Sequence, residues 1–114
     1  MSETIFGRIA SGEVPADIVF SDDELVAFRD LNPQAPHHIL IIPRRRIETV
    51  LDLQDDDAAL VGRMVIAAGK IARELGFAER GFRLVFNCGE DGGQEVYHLH
   101  LHLLGGRRMN WPPG

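Results

Sequence analysis

Three of the five histidines in this 114-residue chain stand at alternate positions, in Tyr97-His98-Leu99-His100-Leu101-His102-Leu103-Leu104. In a β-strand, side chains two apart point to the same face. The spacing therefore predicts a strand with His98, His100 and His102 on one face and Leu99, Leu101 and Leu103 on the other. The leucine face asks for a hydrophobic core. The imidazole face asks for chemistry, because a histidine is costly to bury unless its nitrogens are paired.

Three readings of that face compete. The first is a surface strand that happens to be rich in histidine. The second is a metal site, since imidazoles at i and i+2 can share an ion. His102 strains it: about 13 Å of strand separates His98 from His102 at ~3.3 Å per residue, whereas metal–nitrogen bonds are only ~2.0 Å. A fourth ligand would come from elsewhere, and neither Cys-x-x-Cys nor His-Glu-x-x-His occurs. The third is histidine as nucleophile or acid–base group on an anionic substrate. An imidazole can attack phosphorus and form a covalent phosphoramidate, which splits one hard displacement into two easier ones. Flanking histidines would orient the attacker and stabilise charge on the phosphoryl oxygens.

The elements that must position these groups can be read along the chain. Thr4 can cap a short helix over Ile5-Phe6-Gly7-Arg8-Ile9, with Ile5, Phe6 and Ile9 on one face. Ala16 to Phe20 and Glu24 to Arg29 read as strands joined by the turn cluster Ser21-Asp22-Asp23. Asp30 follows as a turn former. Pro33-Gln34-Ala35-Pro36 is a rigid connection to the apolar strand His37 to Ile42, ended by Pro43. Alternation puts His38, Leu40 and Ile42 on one face of it and leaves His37 as surface. Arg44-Arg45-Arg46 reads as a solvated basic turn or a contact for phosphate or a partner.

A long helix is expected over Asp55 to Leu75. Its three aspartates suit the positive N-terminal end, and Gly76 is a natural stop. Leu60, Val61, Met64, Val65, Ala68, Ile71, Ala72 and Leu75 form a wide apolar stripe. Gly62 and Gly69 share a face, either as neutral surface positions or to let another subunit approach closely. Gly81 to Asn87 is a strand, and the glycine-rich turn Gly89 to Gly93 links it to the histidine strand. Short strands with one long helix make the fold α+β, with a mostly antiparallel sheet.

Composition narrows the classes. The length suits a single domain over residues 1–114. Hydrophobic residues make up 45% and charged residues 25%, an ordinary globular balance. A formal net charge of −5 argues against a nucleic-acid-binding surface, which would be basic. Cys88 is the only cysteine, consistent with a reducing compartment. Met1-Ser2-Glu3-Thr4 has no basic and then apolar leader, and no apolar run approaches 18 residues. The expectation is a soluble, cytoplasmic chain with no membrane partner.

His98-Leu99-His100-Leu101-His102-Leu103-Leu104 fits His-φ-His-φ-His-φ-φ, with φ apolar. The chain thereby resembles the histidine triad (HIT) superfamily of nucleotide hydrolases and transferases. Asp91-Gly92-Gly93-Gln94, Gly105-Gly106-Arg107 and Trp111-Pro112-Pro113-Gly114 are similar to the Hint branch. So are Ile5-Phe6-Gly7, Phe28-Arg29-Asp30 and Pro33-Gln34-Ala35-Pro36. The resemblance runs from about Thr4 to Gly114. It implies a five-stranded sheet with one long and one short helix, pairing into a ten-stranded sheet across a homodimer. The implied activity is a purine nucleoside phosphoramidase cleaving P–N bonds of AMP-like or GMP-like groups, with no metal and no organic cofactor.

The resemblance also implies roles. His100 attacks the α-phosphorus, His102 holds phosphoryl oxygens, and His98 and His38 fix the attacker. Ile5, Phe6 and Ile9 meet the base. Asp30 holds the ribose hydroxyls, with Phe28 and Leu31 lining the pocket. Asn87, Gly93 and the backbone of Val96 meet the phosphate. Many members carry serine where Glu95 stands; glutamate there could protonate the departing amine or repel an anionic phosphate. Two other classes stay open: a dinucleoside polyphosphate hydrolase, and a nucleotide-binding interaction protein.

Overall fold

The computed structural model describes residues 3–114. A short helix α1 (Ile5–Ala10) leads into β1 (Ile18–Ser21), β2 (Leu25–Arg29) and β3 (His37–Pro43). The long helix α2 (Ala58–Leu75) follows, then β4 (Phe82–Phe86) and β5 (Leu101–Gly105). The five strands form one sheet in the order β1-β2-β3-β5-β4, with every neighbouring pair antiparallel. The α+β fold expected from the sequence is therefore the fold found.

Local chemistry explains the connections. The Asp22 carboxylate accepts from the Glu24 and Leu25 N–H groups, both at 2.8 Å, and turns β1 into β2. Gly76 sits at φ +86° after α2, a left-handed cap that residues with a Cβ rarely adopt.

Period-two alternation sorts the sheet into two faces. Leu25, Ala27, Ile39, Ile41, Leu101 and Leu103 point toward α2 and meet Leu60, Met64, Ala68 and Ile71 in the main core. Val26, Phe28, Leu40 and Ile42 point the other way and pack with Phe6 and Ile9 of α1. His38 shares that second face, as the alternation predicts.

Four expectations need correction. The histidine stretch is not one strand: β5 begins only at Leu101, so His98 and His100 precede it. Counting on from the pair Ile41↔Leu101 would set Pro43 opposite Leu99. Proline has no N–H to give a ladder, and the Leu99 N–H turns instead to the Ile47 carbonyl at 2.6 Å. Leu99 still joins Leu101 and Leu103 in the main core, so the alternation survives beyond the strand.

The long helix starts at Ala58 and not at Asp55. Residues Asp55–Asp57 form a separate 3₁₀ turn, because the Asp57 carboxylate folds back to accept from the Gln54 N–H at 2.9 Å. The apolar stripe is narrower than expected: Val65 is exposed and Val61 half-buried, while Ala67 is buried. His37 is not free surface. It faces α2, half-buried, with its ring stacked on Phe77 at 4.4 Å and 15°. As for the basic run, Arg44 donates to the Asp22 and Ala10 carbonyls and Arg45 pairs with Asp57.

Gly105 marks a close approach between layers. A Cβ built there would stand 2.3 Å from the Phe77 ring. Gly105→Ala must push that ring aside in a packed core. The expected loss is about 1–3 kcal/mol, read from the midpoint of urea unfolding.

Candidate active site

Four imidazoles gather on the α1 side of the sheet. His38 comes from β3, His102 from β5, and His98 and His100 from the segment leading into β5. His38, His98 and His100 are buried and His102 is half-buried. Each has a fixed partner, and the partners dictate where its proton sits.

The His98 Nε2 lies 2.7 Å from the Pro43 carbonyl oxygen, which can only accept. Nε2 therefore carries the proton. Nδ1 keeps its lone pair and accepts from the Thr4 hydroxyl at 3.0 Å. The His100 Nδ1 lies 2.7 Å from the carbonyl oxygen of His98, again an acceptor. His100 thus donates through Nδ1 and keeps a free lone pair on Nε2, which is the state a nucleophile requires.

The other pair follows the same logic. The Gln34 N–H donates to the His38 Nδ1 at 3.0 Å, so the His38 proton is on Nε2. That nitrogen lies 2.9 Å from the His102 Nδ1 and 3.6 Å from a carboxylate oxygen of Asp30. His38 donates to His102. The His102 proton then sits on Nε2, as a donor.

Burial keeps all four imidazoles below the ordinary histidine value. For His98, desolvation outweighs the opposing hydrogen bond to Pro43. For His100, desolvation outweighs the bond to the His98 carbonyl and the attraction of Asp30. For His38 it outweighs the pull of Asp30. For His102, desolvation first, then repulsion from His100 and His38, lowers the value to about 4. All four are neutral near pH 7, consistent with the proton positions above.

Phe6 packs edge-on against the His100 ring at 5.0 Å and 81°, and against Phe28 at 5.4 Å. Ile5 beside it is exposed and Ile9 is buried. Val96 is half-buried against the Phe6 cluster. Phe28 is covered by its neighbours, and Leu31 is 97% exposed, so those two do not form one continuous wall. Asp30 does double duty. One oxygen accepts from the Asn32 N–H at 2.8 Å and makes the turn, while the other faces His38.

On the β4 side, Asn87 donates its amide to the Gly92 carbonyl at 2.7 Å, which folds the glycine loop over the strand end. Gly93 is exposed at φ +77°, and Glu95 is exposed three residues before His98. The sequence reading singled out none of four further contributors: the Thr4 hydroxyl, the Pro43 carbonyl, the Gln34 N–H and the Gln94 side chain. Gln94 is buried, accepts from the Gly89 N–H at 3.0 Å and donates to the carbonyls of Glu48 and Val96. Thr4 left a signal as a helix cap, and Gln34 and Gln94 as parts of quoted motifs, but their contacts with the site are made by the fold.

Asp30, His38 and His102 offer ligand atoms within 4.8 Å of one another, the arrangement a metal would need. The 2.9 Å between the two imidazole nitrogens is a hydrogen bond length. Two nitrogens on one tetrahedral zinc stand about 3.3 Å apart, given bonds of ~2.0–2.1 Å. The geometry is that of a shared proton, and it leaves the His102 Nε2–H as a donor.

Residues 11–109 match the HIT domain family. The chain belongs to the HIT family. It is 55% identical over 107 residues to the purine nucleoside phosphoramidase of Escherichia coli K12, covering 94% of this chain and 90% of that protein. A solved HIT family hydrolase from Legionella pneumophila superposes with a TM-score of 0.96 at 55% identity, covering 98% of this chain and all of that one. A histidine triad protein from Clostridium difficile gives 0.92 at 45% identity, with 96% and 97% covered.

The proton count of the site has a consequence for stability. Unfolded, His102 binds a proton near its ordinary value of 6.5; folded, it does so only near 4. The unfolded chain therefore binds more protons between those values, and stability falls as pH drops from 6.5 toward 4. Urea midpoints at pH 7.5 and 4.5 should differ in that direction. His102→Gln should flatten part of the slope.

Proposed function

We propose that this chain is a purine nucleoside phosphoramidase, which hydrolyses the P–N bond between a purine nucleoside monophosphate and an amine. The carrying observation is the free Nε2 of His100, held by the Nδ1–H bond to the His98 carbonyl, on a chain 55% identical to a phosphoramidase.

In the first step His100 Nε2 attacks the α-phosphorus. An N–P bond to the imidazole forms, the bond to the amine breaks, and the amine leaves with that electron pair and gains a proton. In the second step water attacks phosphorus, the imidazole leaves, and the nucleoside monophosphate is released. The His102 Nε2–H, together with backbone N–H groups near Gly93 and Val96, stabilises the phosphoryl oxygens. His38 sets the His102 proton, and His98 holds His100. Glu95 stands on the leaving-group side as the proton donor to the amine.

The nucleoside half lies against α1. Ile5, Phe6 and Ile9 meet the purine with Phe28 behind Phe6, and Leu31 covers the base on binding. The Asp30 oxygen facing His38 takes the ribose hydroxyls. Asn87 orders the loop that meets the phosphate.

The working unit is a homodimer. Support comes from β4, which lies at the sheet edge with Phe82 exposed, so a second copy can extend the sheet to ten strands. Val65 and Ile66 on α2 are also exposed, and apart from the helix's own adjacent backbone nothing comes within 4 Å of where a Cβ on Gly62 or Gly69 would stand. Trp111 in the tail is 81% exposed, with the Arg83 guanidinium 6.0 Å from its ring. The protein acts in the cytoplasm; no described helix is long and apolar enough to cross a membrane.

Turnover of an adenosine 5′-phosphoramidate, measured beside diadenosine polyphosphates, tests the assignment. The phosphoramidate should be the better substrate by kcat/KM, and the reverse order would favour a polyphosphate hydrolase. Rapid quench should trap AMP on a histidine. His100→Ala should remove turnover and leave AMP binding largely intact, while near-normal turnover in that variant would sink the mechanism.

Asp30 can be tested separately. Asp30→Ala should weaken ribonucleotides by up to a few kcal/mol, as expected for hydrogen bonds to a charged group, and 2′,3′-dideoxy analogues much less. Calorimetric titration of both ligands decides it. Equal losses would leave Asp30 as a turn residue only.

A further inference from the structure

We infer that Thr4 is a positioning residue that couples the purine pocket to the aim of His100. The inference rests on the phosphoramidase reading for its substrate, and on the hydrogen bonds of Thr4 for its geometry.

Thr4 is the N-cap of α1, with extended backbone at φ −75° and ψ 164°. Its hydroxyl accepts from the Gly7 N–H at 3.0 Å and lies 3.0 Å from the His98 Nδ1. A hydroxyl has one proton to give and two lone pairs. The Pro43 carbonyl fixes the His98 proton on Nε2, so Nδ1 can only accept. The Thr4 proton must go there, and a lone pair takes Gly7. A single oxygen atom thus closes the helix and locks the ring.

The lock is passed on through the backbone. His98 is 1% exposed and held at both ring nitrogens, which leaves its main chain little freedom. The carbonyl of that same residue holds the His100 Nδ1–H at 2.7 Å. The path from Thr4 to the nucleophile is one side-chain hydrogen bond, one residue and one further hydrogen bond.

The other end of the path is the base pocket. α1 has six residues, too few to be stable alone. It stays folded by burying Phe6 and Ile9 and by the Thr4 cap. Phe6 lies edge-on to both His100 and His98, at 5.0 and 6.4 Å. The helix therefore touches the triad twice, by packing through Phe6 and by hydrogen bond through Thr4. A purine seated on Ile5 and Phe6 holds α1 against the sheet and so steadies His100. The base then contributes to kcat as well as KM, because its binding energy is used to orient the attacker.

The experiment uses two substrates, adenosine 5′-phosphoramidate and ribose 5-phosphoramidate, which lacks the base. In the wild type the base should raise kcat. In Thr4→Val, which keeps the shape and loses the hydroxyl, kcat on the adenosine substrate should fall about tenfold. The kcat ratio of the two substrates should shrink at least fivefold, and Thr4→Ser should restore it. An unchanged ratio in folded Thr4→Val overturns the coupling.

Nitrogen-15 NMR of the histidine rings gives a second reading without substrate. Wild type and Thr4→Ser should show His98 protonated on Nε2 with a hydrogen-bonded Nδ1, and Thr4→Val should keep that tautomer while its Nδ1 resonance moves to that of an unbonded lone pair. A wild-type His98 protonated on Nδ1 overturns the inference, even if Thr4→Val fails to fold. If the wild type cleaves no phosphoramidate, the functional reading fails, and the NMR result still decides the role of Thr4.

Discussion

Each imidazole in this site carries one proton, and a group outside the ring decides which nitrogen holds it. Two of those groups are main-chain carbonyls, of Pro43 and His98, and one is a main-chain N–H, of Gln34. Backbone atoms cannot swap a donor for an acceptor, so the protonation pattern is as rigid as the fold. Burial strengthens it by making the charged imidazolium costly. Once one ring is charged, a second charge on its neighbour is repelled, so the rings cannot charge together. The result is one lone pair, on His100 Nε2, and one N–H, on His102 Nε2, at adjacent positions.

That arrangement needs a backbone that departs from regular pairing where the chemistry sits. β3 ends at Pro43, whose missing N–H cannot continue the ladder. The carbonyl left over takes the His98 ring, and the Leu99 N–H goes to Ile47. If β5 had begun at His98, its main-chain groups would be spent on strand neighbours. The His98 carbonyl would then be less available to orient His100. The leucines prevent the irregular segment from drifting, because Leu99, Leu101 and Leu103 are all sealed in the core under α2. Hydrophobic anchoring on one face thus tolerates a polar, non-repeating arrangement on the other.

Much of the fold was legible in the sequence because period-two and period-3.6 patterns report burial directly. All five strands and both helices exist in the expected order, with β5 and α2 starting later than the patterns place them, and the order of apolar residues in β2 and β3 assigns both faces of the sheet. The errors fall where a side chain competes with the pattern. Asp57 captures the Gln54 N–H and splits a 3₁₀ turn from the expected helix. Val61 and Val65 are apolar yet turned away from the sheet, since one helix face can meet only one layer. The histidines were legible as a group, and their resemblance to the triad motif identified the family. Their partners were not legible. Thr4 lies 94 positions from His98, and nothing in either neighbourhood announces the contact.

The chain carries a net charge of −5, yet its proposed substrate is an anion. Long-range attraction does not bring such a substrate in. The nearby basic side chains have other partners: Arg44 and Arg45 serve carbonyls and Asp57, Arg46 pairs with Glu48, and Asp30 sits within 3.6 Å of His38. A neutral donor set is the consistent solution. Oriented N–H groups, from His102 and the glycine loop, can meet a phosphoryl group without the desolvation cost of a buried cation. In the proposed reaction they would also hold the product monophosphate without a full opposing charge, which favours its release. A lysine or arginine in place of His102 would bind phosphate more strongly in the ground state. It would also place a cation beside His100, lowering the basicity of the nitrogen that must attack. Neutrality of the triad is therefore part of the proposed mechanism, and the burial that enforces it is the contribution of the sheet.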